Sequence, residues 1–406
     1  MRISTQTFYE QSRTSMGAQQ SSLLRVQQQL GAGTKILAPS DDPLGATRAL
    51  AVSQSIALTA QYSASRSHAV QTLSLEENAL QSVTTVLQNL KSQVIQAGNG
   101  TMNDADRASI ATAFQSNLDQ LQGLANTDDG NGQFLFAGFR SGSAPFVRQS
   151  DGSVQYTGDQ GQRQVQVDAS RQMAGTDDGR SIFQSVQSGA GYVVSAPAGN
   201  TGNAGSGVFS AISVLDPNDP SHGKDFVISF PTAGSYQVDT VSVPTTTLVA
   251  ETPFTPGGAI AFAGLQISIS GAPAAGDLVK VETAKNAGSD IFAAIGDVIK
   301  ALKTPIDGPK NQALVLNALS TANRKLTNAH ENVLTVRSSV GSRLRELDAL
   351  AVGADDRTLF DKSQLSDLQD LDYSSAIAEF YQRQTALQAS QQTFVKIQKI
   401  SLFNYL

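Results

Sequence analysis

The apolar positions near both ends of the chain recur every seven residues, the spacing of a helix that packs against another helix. At the C-terminal end this pattern predicts a continuous helix over residues 373–406, with a first row at Tyr373, Phe380, Leu387 and Phe394. Four residues further on lies a second predicted row, mostly glutamine: Ile377, Gln384, Gln391 and Gln398. A helix over residues 1–30 carries a matching row at Tyr9, Met16, Leu23 and Leu30. The two ends are therefore predicted to pair.

The C-terminal helix carries little charge for an exposed helix and many amides for a core helix. Its charged residues are Glu379, Arg383, Lys396 and Lys399. A polar residue in a helical seam costs stability but fixes register. We interpret the pattern as a surface that other chains cover on assembly. Because little apolar area offsets the entropy of ordering, both ends are expected to be disordered in the free monomer. An ordinary intramolecular coiled coil is the alternative.

Between the two ends, the pattern predicts several long helices. Gly31-Ala32-Gly33 ends the first helix, and Asp42-Pro43, an N-cap before a first-turn proline, starts a second that continues to about Ala97. Further helices are predicted over 104–125, from Ile291 to Leu302, and through a row at Leu319, Leu326, Val333, Val340 and Leu347. A break at residues 353–357 precedes the final helix, which begins near Thr358. The middle rows are assigned to the core of a helical bundle.

Glycine and proline concentrate between residues 130 and 285, where short β-rich runs alternate with turn residues. Strands are predicted over 133–139, 162–167, 225–230, 265–270 and 278–283, and loops or short helices over 177–188 and 198–207. The chain is thus predicted to be an α+β multidomain protein, an elongated rod of long helices with an inserted, mostly antiparallel β domain.

If the first segment pairs with the last and the second with the next to last, the chain divides into five segments joined by short connections. Residues 1–42 and 358–406 form the two halves of a terminal coiled-coil domain. Residues 43–140 and 285–357 form the two halves of a helical bundle domain, and 141–284 form the inserted β domain.

Composition and charge exclude several classes of partner and of structural feature. The chain has 406 residues, a net charge of −6 and no basic cluster, so nucleic acid and anionic membranes are not expected partners. It has no apolar run long enough to span a bilayer, and its N-terminus lacks the apolar core of a cleaved secretion signal. Cysteine is absent, which excludes disulfides and fits an exported protein without proving one.

The sequence offers few residues that could catalyse a reaction or bind a metal. The three histidines, His68, His222 and His330, are scattered, and His68 and His330 are expected at the surface. Residues 128–132 faintly resemble a calcium loop but lack its glycine and its glutamate, so a turn explains them better. Asp41 and Asp42 could be paired catalytic carboxylates, although a helix cap accounts for them. We therefore expect no enzyme, no catalytic residue, no metal site and no cofactor.

Specific segments at both ends resemble the flagellin superfamily. They are the start Met1-Arg2-Ile3-Ser4, the connector Gly33-Thr34-Lys35-Ile36, the run 39–43, and the ending 391–397 with Ser401-Leu402-Phe403-Asn404-Tyr405-Leu406. The ending is most similar to the members that join the flagellar hook to the filament. Residues 132–138 and 276–281 also resemble the borders of the insert in those members. The interior from about 141 to 271 matches little.

The resemblance implies a structural subunit of the bacterial flagellum, exported by the flagellar type III apparatus without a cleaved signal peptide and located outside the cell. It would polymerise through its terminal helices. Its partners would be hook-associated protein 1 on the hook side, flagellin on the filament side, and further copies of itself. An export chaperone would bind the C-terminal helix at Phe380, Leu387, Phe394 and Ile397.

Other functions remain open at this stage. The chain could be flagellin itself, the filament subunit, or, from a different class, a coiled-coil adhesin or binding module carrying a β head. An enzyme is the weakest alternative, because no nucleophile, base or metal-ligand set is visible.

Overall fold

The computed structural model describes residues 5–100, 102–197, 202–242 and 244–399, and it divides the chain into two compact units. One unit contains residues 1–64 and 349–406, and the other contains residues 65–348. The helices are α1 (Thr5–Ala32), α2 (Pro43–Ala97), α3 (Asp104–Ala125), α4 (Gly179–Phe183), α5 (Ile291–Leu302), α6 (Pro309–Gln369) and α7 (Tyr373–Lys399). Helices α2 and α6 each contribute residues to both units.

The helix boundaries follow capping chemistry. Asp42 Oδ1 accepts the Gly45 N–H at 2.9 Å where α2 begins, which confirms the predicted cap. Asn103 and Asp106 form a reciprocal capping box at the start of α3. At α5, the Asp290 carboxylate accepts the Phe292 and Ala293 N–H groups.

The predicted break at residues 353–357 is wrong. Helix α6 continues through Gly353 and Thr358 and ends at Gln369. A glycine inside a helix costs only about 1 kcal/mol, and contacts along the helix outweigh that cost. Ala354 is buried, and Ser55 Oγ of α2 donates to the nearly buried Asp361 carboxylate at 2.8 Å. The chain instead leaves the helix at residues 370–372, which places the start of α7 at Tyr373.

The unit of residues 65–348 contains the predicted bundle core. Leu73, Leu80, Leu87 and Leu90 of α2 are fully buried. So are the rows of α3 and α5, and on α6 the row Leu319, Leu326, Val333, Val340 and Leu347. The assignment of the middle apolar rows to the core is confirmed.

The β insert contains thirteen strands in the described residues. They are β1 (Phe146–Arg148), β2 (Val154–Tyr156), β3 (Gln164–Asp168), β4 (Arg171–Ala174), β5 (Val193–Ser195), β6 (Val208–Phe209), β7 (Ser213–Val214), β8 (Phe226–Thr232), β9 (Ser235–Thr240), β10 (Thr247–Pro253), β11 (Ala259–Phe262), β12 (Leu265–Ser270) and β13 (Leu278–Glu282). Their pairings are antiparallel, as predicted. The α+β class with an inserted antiparallel domain is confirmed.

Two sheets enclose the core of the insert. A five-stranded sheet has the order β10-β9-β8-β13-β5, and a second sheet has the order β11-β12-β6, with β7 also paired to β12. Phe226, Ile228 and Val281 of the first sheet share one buried cluster with Leu265 and Ile267 of the second. Strands β1–β2 and β3–β4 form separate hairpins. Residues 198–201, part of the predicted 198–207 loop, lie outside the described residues.

The strand predicted over 133–139 is wrong. This segment forms turns with a single bridge between Phe134 and Asp128, although Leu135, Phe136 and Ala137 are buried. Gly138 adopts φ +68°, and the Asp159 carboxylate accepts the Phe139 N–H at 2.9 Å. The alternation of apolar residues therefore marks a buried turn whose closing partner lies twenty residues away.

A polar row along α6 fixes the insert to that helix, and the sequence analysis missed it. The row is Asn317, Thr321, Arg324, Asn328 and Asn332. These side chains donate to backbone carbonyls of the insert: Asn317 to Gly207, Thr321 to Val194, Arg324 to Tyr192, Asn328 to Gly191, and Asn332 to Ser181 and Ile182. Because buried carbonyls need hydrogen-bond donors, this row holds the insert in one orientation on α6.

Candidate assembly interface

Helices α1 and α7 lie in the same unit, and their adjoining ends are held by backbone bonds. Gly33 ends α1 at φ +72°, and the position of a Cβ there would lie 3.0 Å from the Tyr373 hydroxyl. Lys35 N donates to Gln369 O at 2.8 Å, and Leu371 N donates to Gly33 O at 3.1 Å. Together with the antiparallel bridge between Thr34 and Asp370, these bonds set α1 beside α7.

The start of α7 is capped by Asp372. Its carboxylate accepts the Ser374 and Ser375 N–H groups and, at 2.7 Å, the Ser375 hydroxyl. The bonds from Ser375 lower the Asp372 pKa, because they favour the charged form.

The connector between α1 and α2 uses both acidic residues that could have formed a catalytic pair. Asp41 Oδ2 accepts the Leu37 and Ala38 N–H groups at 3.1 Å, and Asp41 Oδ1 lies 3.2 Å from Arg25. Asp42 caps α2. Both carboxylates therefore hold the backbone of the connector.

The seam between α1 and α7 is antiparallel and shallow. The rings of Tyr9 and Phe394 lie 4.9 Å apart, and Ser390 Oγ donates to Gln19 Oε1 at 2.8 Å. Only Val26 and Ala376 are buried among the described side chains of the two helices. The other predicted first-row residues are half-buried: Met16, Leu23, Leu30, Phe380, Leu387 and Phe394. Tyr9 and Tyr373 remain more exposed.

The second row of the seam is not the predicted one. It lies three residues after the first row, at Ala376 and Ser390, rather than four residues after it. The first row therefore occupies the a positions of the heptad and the second row the d positions three residues later, whereas the residue four after an a position is an e position that flanks the seam. Ile377, Gln384 and Gln391 are therefore exposed. The side chains of Gln398 and Ile397 lie outside the described part of the chain.

These exposed residues belong to a longer row, here called the open row: Ile377, Tyr381, Gln384, Gln388, Gln391 and Val395. Successive members are four or three residues apart, so they share one face of α7. Ile377, Tyr381 and Val395 are 45%, 62% and 48% exposed, and no member is charged. Tyr381, Gln388 and Val395 were missed, although counting alternately four and three from Ile377 would have found them.

The charged residues of α7 whose side chains the structure describes lie off this face. Arg383 and Glu379 pair with each other at 3.1 Å, and Lys396 adjoins Val395 without belonging to the row. The open row is therefore an exposed stripe of apolar and amide side chains that no described part of the chain buries.

The candidate residues of the other unit that lie in the described part of the chain, the two helical histidines and the acidic turn, form no comparable site. His68 is exposed as predicted, whereas His330 is half-buried, and burial together with nearby Lys91 lowers its pKa. Residues 128–132 form the turn that the sequence analysis favoured over a calcium loop. Their carboxylates accept backbone N–H groups.

Comparison with known proteins identifies the family. The model of the bacterial flagellin N-terminal helical region matches residues 3–141. The flagellar hook-associated protein 3 of Escherichia coli K12 is 32% identical over 404 residues, 99% of each chain. That of Salmonella typhimurium LT2 is 33% identical over 406 residues, again 99% of each chain. The chain belongs to the flagellar hook-associated protein 3 family.

Solved structures of the family agree with the fold. The crystal structure of Xanthomonas campestris FlgL is 29% identical, with a TM-score of 0.67 over 78% of this chain and 99% of that chain. As a member of the hook-associated protein 3 family, the chain is a structural protein of the bacterial flagellum rather than an enzyme, and flagellin itself is not favoured. Among the described residues no helix is long and apolar enough to cross a membrane.

Proposed function

We propose that this chain joins the flagellar hook to the filament, outside the cell, as a subunit that polymerises through α1 and α7. Hook-associated protein 1 would contact it on the hook side and flagellin on the filament side. The observation that carries the proposal is the open row of α7. It places apolar and amide side chains, free of charge, on the outer face of a helix whose pairing with α1 is already shallow.

The distribution of charge supports contacts between helices rather than between inserts. Residues 141–284 contain twelve acidic and six basic side chains, so the insert accounts for the whole net charge of −6. The remaining segments are balanced. Like charges on neighbouring inserts repel one another, whereas the uncharged open row meets no such barrier.

The proposal is tested in the organism that encodes the chain. Deleting its gene is expected to leave hooks without filaments and to release flagellin into the medium, because flagellin then has no junction to build on. Electron microscopy of cells and immunoblots of the medium measure both effects. If filaments still grow from hooks after the deletion, the chain does not form the junction.

We further propose export through the type III apparatus, with a chaperone on Phe380, Leu387, Phe394 and Ile397. The first three of these residues face α1 in the free chain, and Phe394 contacts Tyr9. A chaperone on this row must therefore displace α1. The helix α1 would act as an internal competitor that releases the row to the chaperone before export.

Weakening the seam is expected to strengthen chaperone binding. Val26→Asp places a charge at a position that is 4% exposed in the seam, so α1 detaches more easily and the Kd falls several-fold. Leu24→Asp is the matched control, since Leu24 lies two residues away on the same helix and is 51% exposed. Calorimetric titration of the full-length variants with the cognate chaperone measures the difference. Equal affinity for both variants would show that α1 does not compete.

A further inference from the structure

The turn between α3 and the insert contains an exposed asparagine followed by glycine. Residues 128–134 are closed by the Asp128–Phe134 bridge and by Asp129 N donating to Gln133 O at 2.9 Å. Gly130 and Gly132 adopt φ +80° and +81°, which only glycine tolerates easily. Asn131 stands between them and is exposed.

The two carboxylates of the turn accept backbone N–H groups. Asp128 Oδ1 accepts the Gly130 N–H, and Asp129 Oδ1 accepts the N–H groups of Asn131 and Gln133 at 2.9 and 3.1 Å. The exposed Asn131 carboxamide lies beside the Asp129 carboxylate and contributes to lowering the Asp129 pKa. Among the described residues, the Gly132 N–H donates no hydrogen bond, so the backbone nitrogen that follows Asn131 is free to attack it.

We propose that Asn131 is a site of spontaneous deamidation. The Gly132 backbone nitrogen loses its proton to base and attacks Asn131 Cγ, forming a five-membered succinimide as the side-chain nitrogen leaves as ammonia. Water then adds to one of the two ring carbonyls, and a ring C–N bond breaks. The products are aspartate or isoaspartate at position 131. Glycine in the following position offers no side chain to hinder the attack.

Hydrogen bonds of the fold restrain two other steps at which the same reaction could occur, Asp129-Gly130 and Asn99-Gly100. At Asp129-Gly130, the attacking Gly130 nitrogen donates to Asp128, and the hydrogen bonds from Asn131 and Gln133 lower the Asp129 pKa. An ionised carboxylate is a poor electrophile. At Asn99-Gly100, Asn99 N donates to Gln96 O and Asn99 O accepts from Met102 N, which holds the backbone at the end of α2.

The modification changes both charge and backbone length in the turn. A carboxylate at position 131 joins those of Asp128 and Asp129, which raises the local negative charge. Isoaspartate also inserts a methylene into a turn closed by the bond from Asp129 to Gln133. Leu135 and Phe136, which follow the turn, are buried, so the loosened turn lies close to buried side chains.

Peptide mapping of the full-length chain after incubation in mildly alkaline buffer tests the proposal. In folded protein, Asn131 is expected to convert several-fold faster than Asn99, with isoaspartate among the products. In urea both asparagines precede glycine in an unfolded chain, so the two rates should converge. Asn131→Gln should abolish the main acidic variant, and Asn99→Gln should leave it unchanged. Conversion of Asn99 ahead of Asn131 in the folded chain, or an unchanged acidic variant in Asn131→Gln, would overturn the proposal.

Discussion

Gln391→Glu is expected to abolish ordered self-association of the purified chain, whereas Gln382→Glu is expected to leave it intact. Both variants add the same charge to the same helix, at exposed residues. Gln391 belongs to the open row, whereas no member of that row lies three or four residues from Gln382, which therefore occupies a different face of α7. If neighbouring copies cover the open row, a carboxylate at 391 must lose its water without gaining a partner. An unpaired buried charge costs several kcal/mol at each contact, and a helical array repeats that contact.

Light scattering and electron microscopy under conditions that polymerise the wild-type chain provide the measurement. Ile377→Glu, at the other end of the open row, should behave like Gln391→Glu, and Thr393→Glu, at an exposed position outside the row, should behave like Gln382→Glu. Circular dichroism of each monomer checks that the helices remain. Equal polymerisation of the 391 and 382 variants would show that the open row is not the contact and would leave the seam residues as the remaining candidates.

Local sequence patterns predicted the features that depend on neighbouring residues. The row from Leu73 to Leu87, the cap at Asp42 and the glycine stop at Gly33 each follow from side chains within a few turns of one another, and all three are present. The pairing of α1 with α7 was also found, because matching heptads at the two ends leave few other partners.

The features that the sequence analysis missed depend on contacts that local sequence does not show. From sequence alone, the polar row of α6 would be expected to face solvent. The carbonyls that its side chains bind lie 110 to 151 residues away in the chain. Gly353 looks like a break because its low helix propensity is visible locally, whereas the packing of Ala354 and Asp361 is not. For the second row of the seam, a spacing of four would hold if the first row occupied the d positions of the heptad, whereas the burial of Ala376 shows that it occupies the a positions.

The stability of the unit of residues 65–348 is expected to fall as pH rises, because of a buried glutamic acid. Glu76 of α2 is fully buried, and its Oε2 has no hydrogen-bond partner among the described residues. Its Oε1 accepts the Asp177 N–H at 3.3 Å, in the loop between β4 and α4. Burial, followed by the Asp177 charge, raises the Glu76 pKa well above its ordinary value of 4.5, and Arg343 of α6 offsets this only in part.

Arg343 connects Glu76 and Asp177 to the β3–β4 hairpin. It pairs with the Asp177 carboxylate and donates to Ala174 O at 3.0 Å, at the end of β4. Arg66 of α2 donates to Val167 O at 2.9 Å, on β3. The neighbouring Glu77 is paired with Arg337 at 2.6 Å. Ionising Glu76 therefore places a second negative charge beside Asp177, at the point where the hairpin is attached to both helices.

The direction of the change in stability with pH follows from the raised pKa of Glu76 in the folded chain. Because the folded pKa of Glu76 is raised, its protonation contributes stability that is fully present below the unfolded pKa of about 4.5 and is lost as pH rises through the folded pKa. Within that window the loss is about 1.4 kcal/mol per pH unit. Glu76→Gln keeps the shape and stays neutral, so this variant should lose that slope and should exceed the wild type in stability at neutral pH.

Urea unfolding of both proteins from mildly acidic to mildly alkaline pH gives the difference in free energy directly, after a check that the transition of this unit is resolved from that of the other. Asp297→Asn, at an exposed acidic residue of α5, controls for a general change in net charge. Parallel pH profiles for wild type and Glu76→Gln would mean that Glu76 is ionised in the folded chain. The positive charge of Arg343 would then have to serve both carboxylates, and Arg343→Gln should become the more destabilising substitution as pH rises.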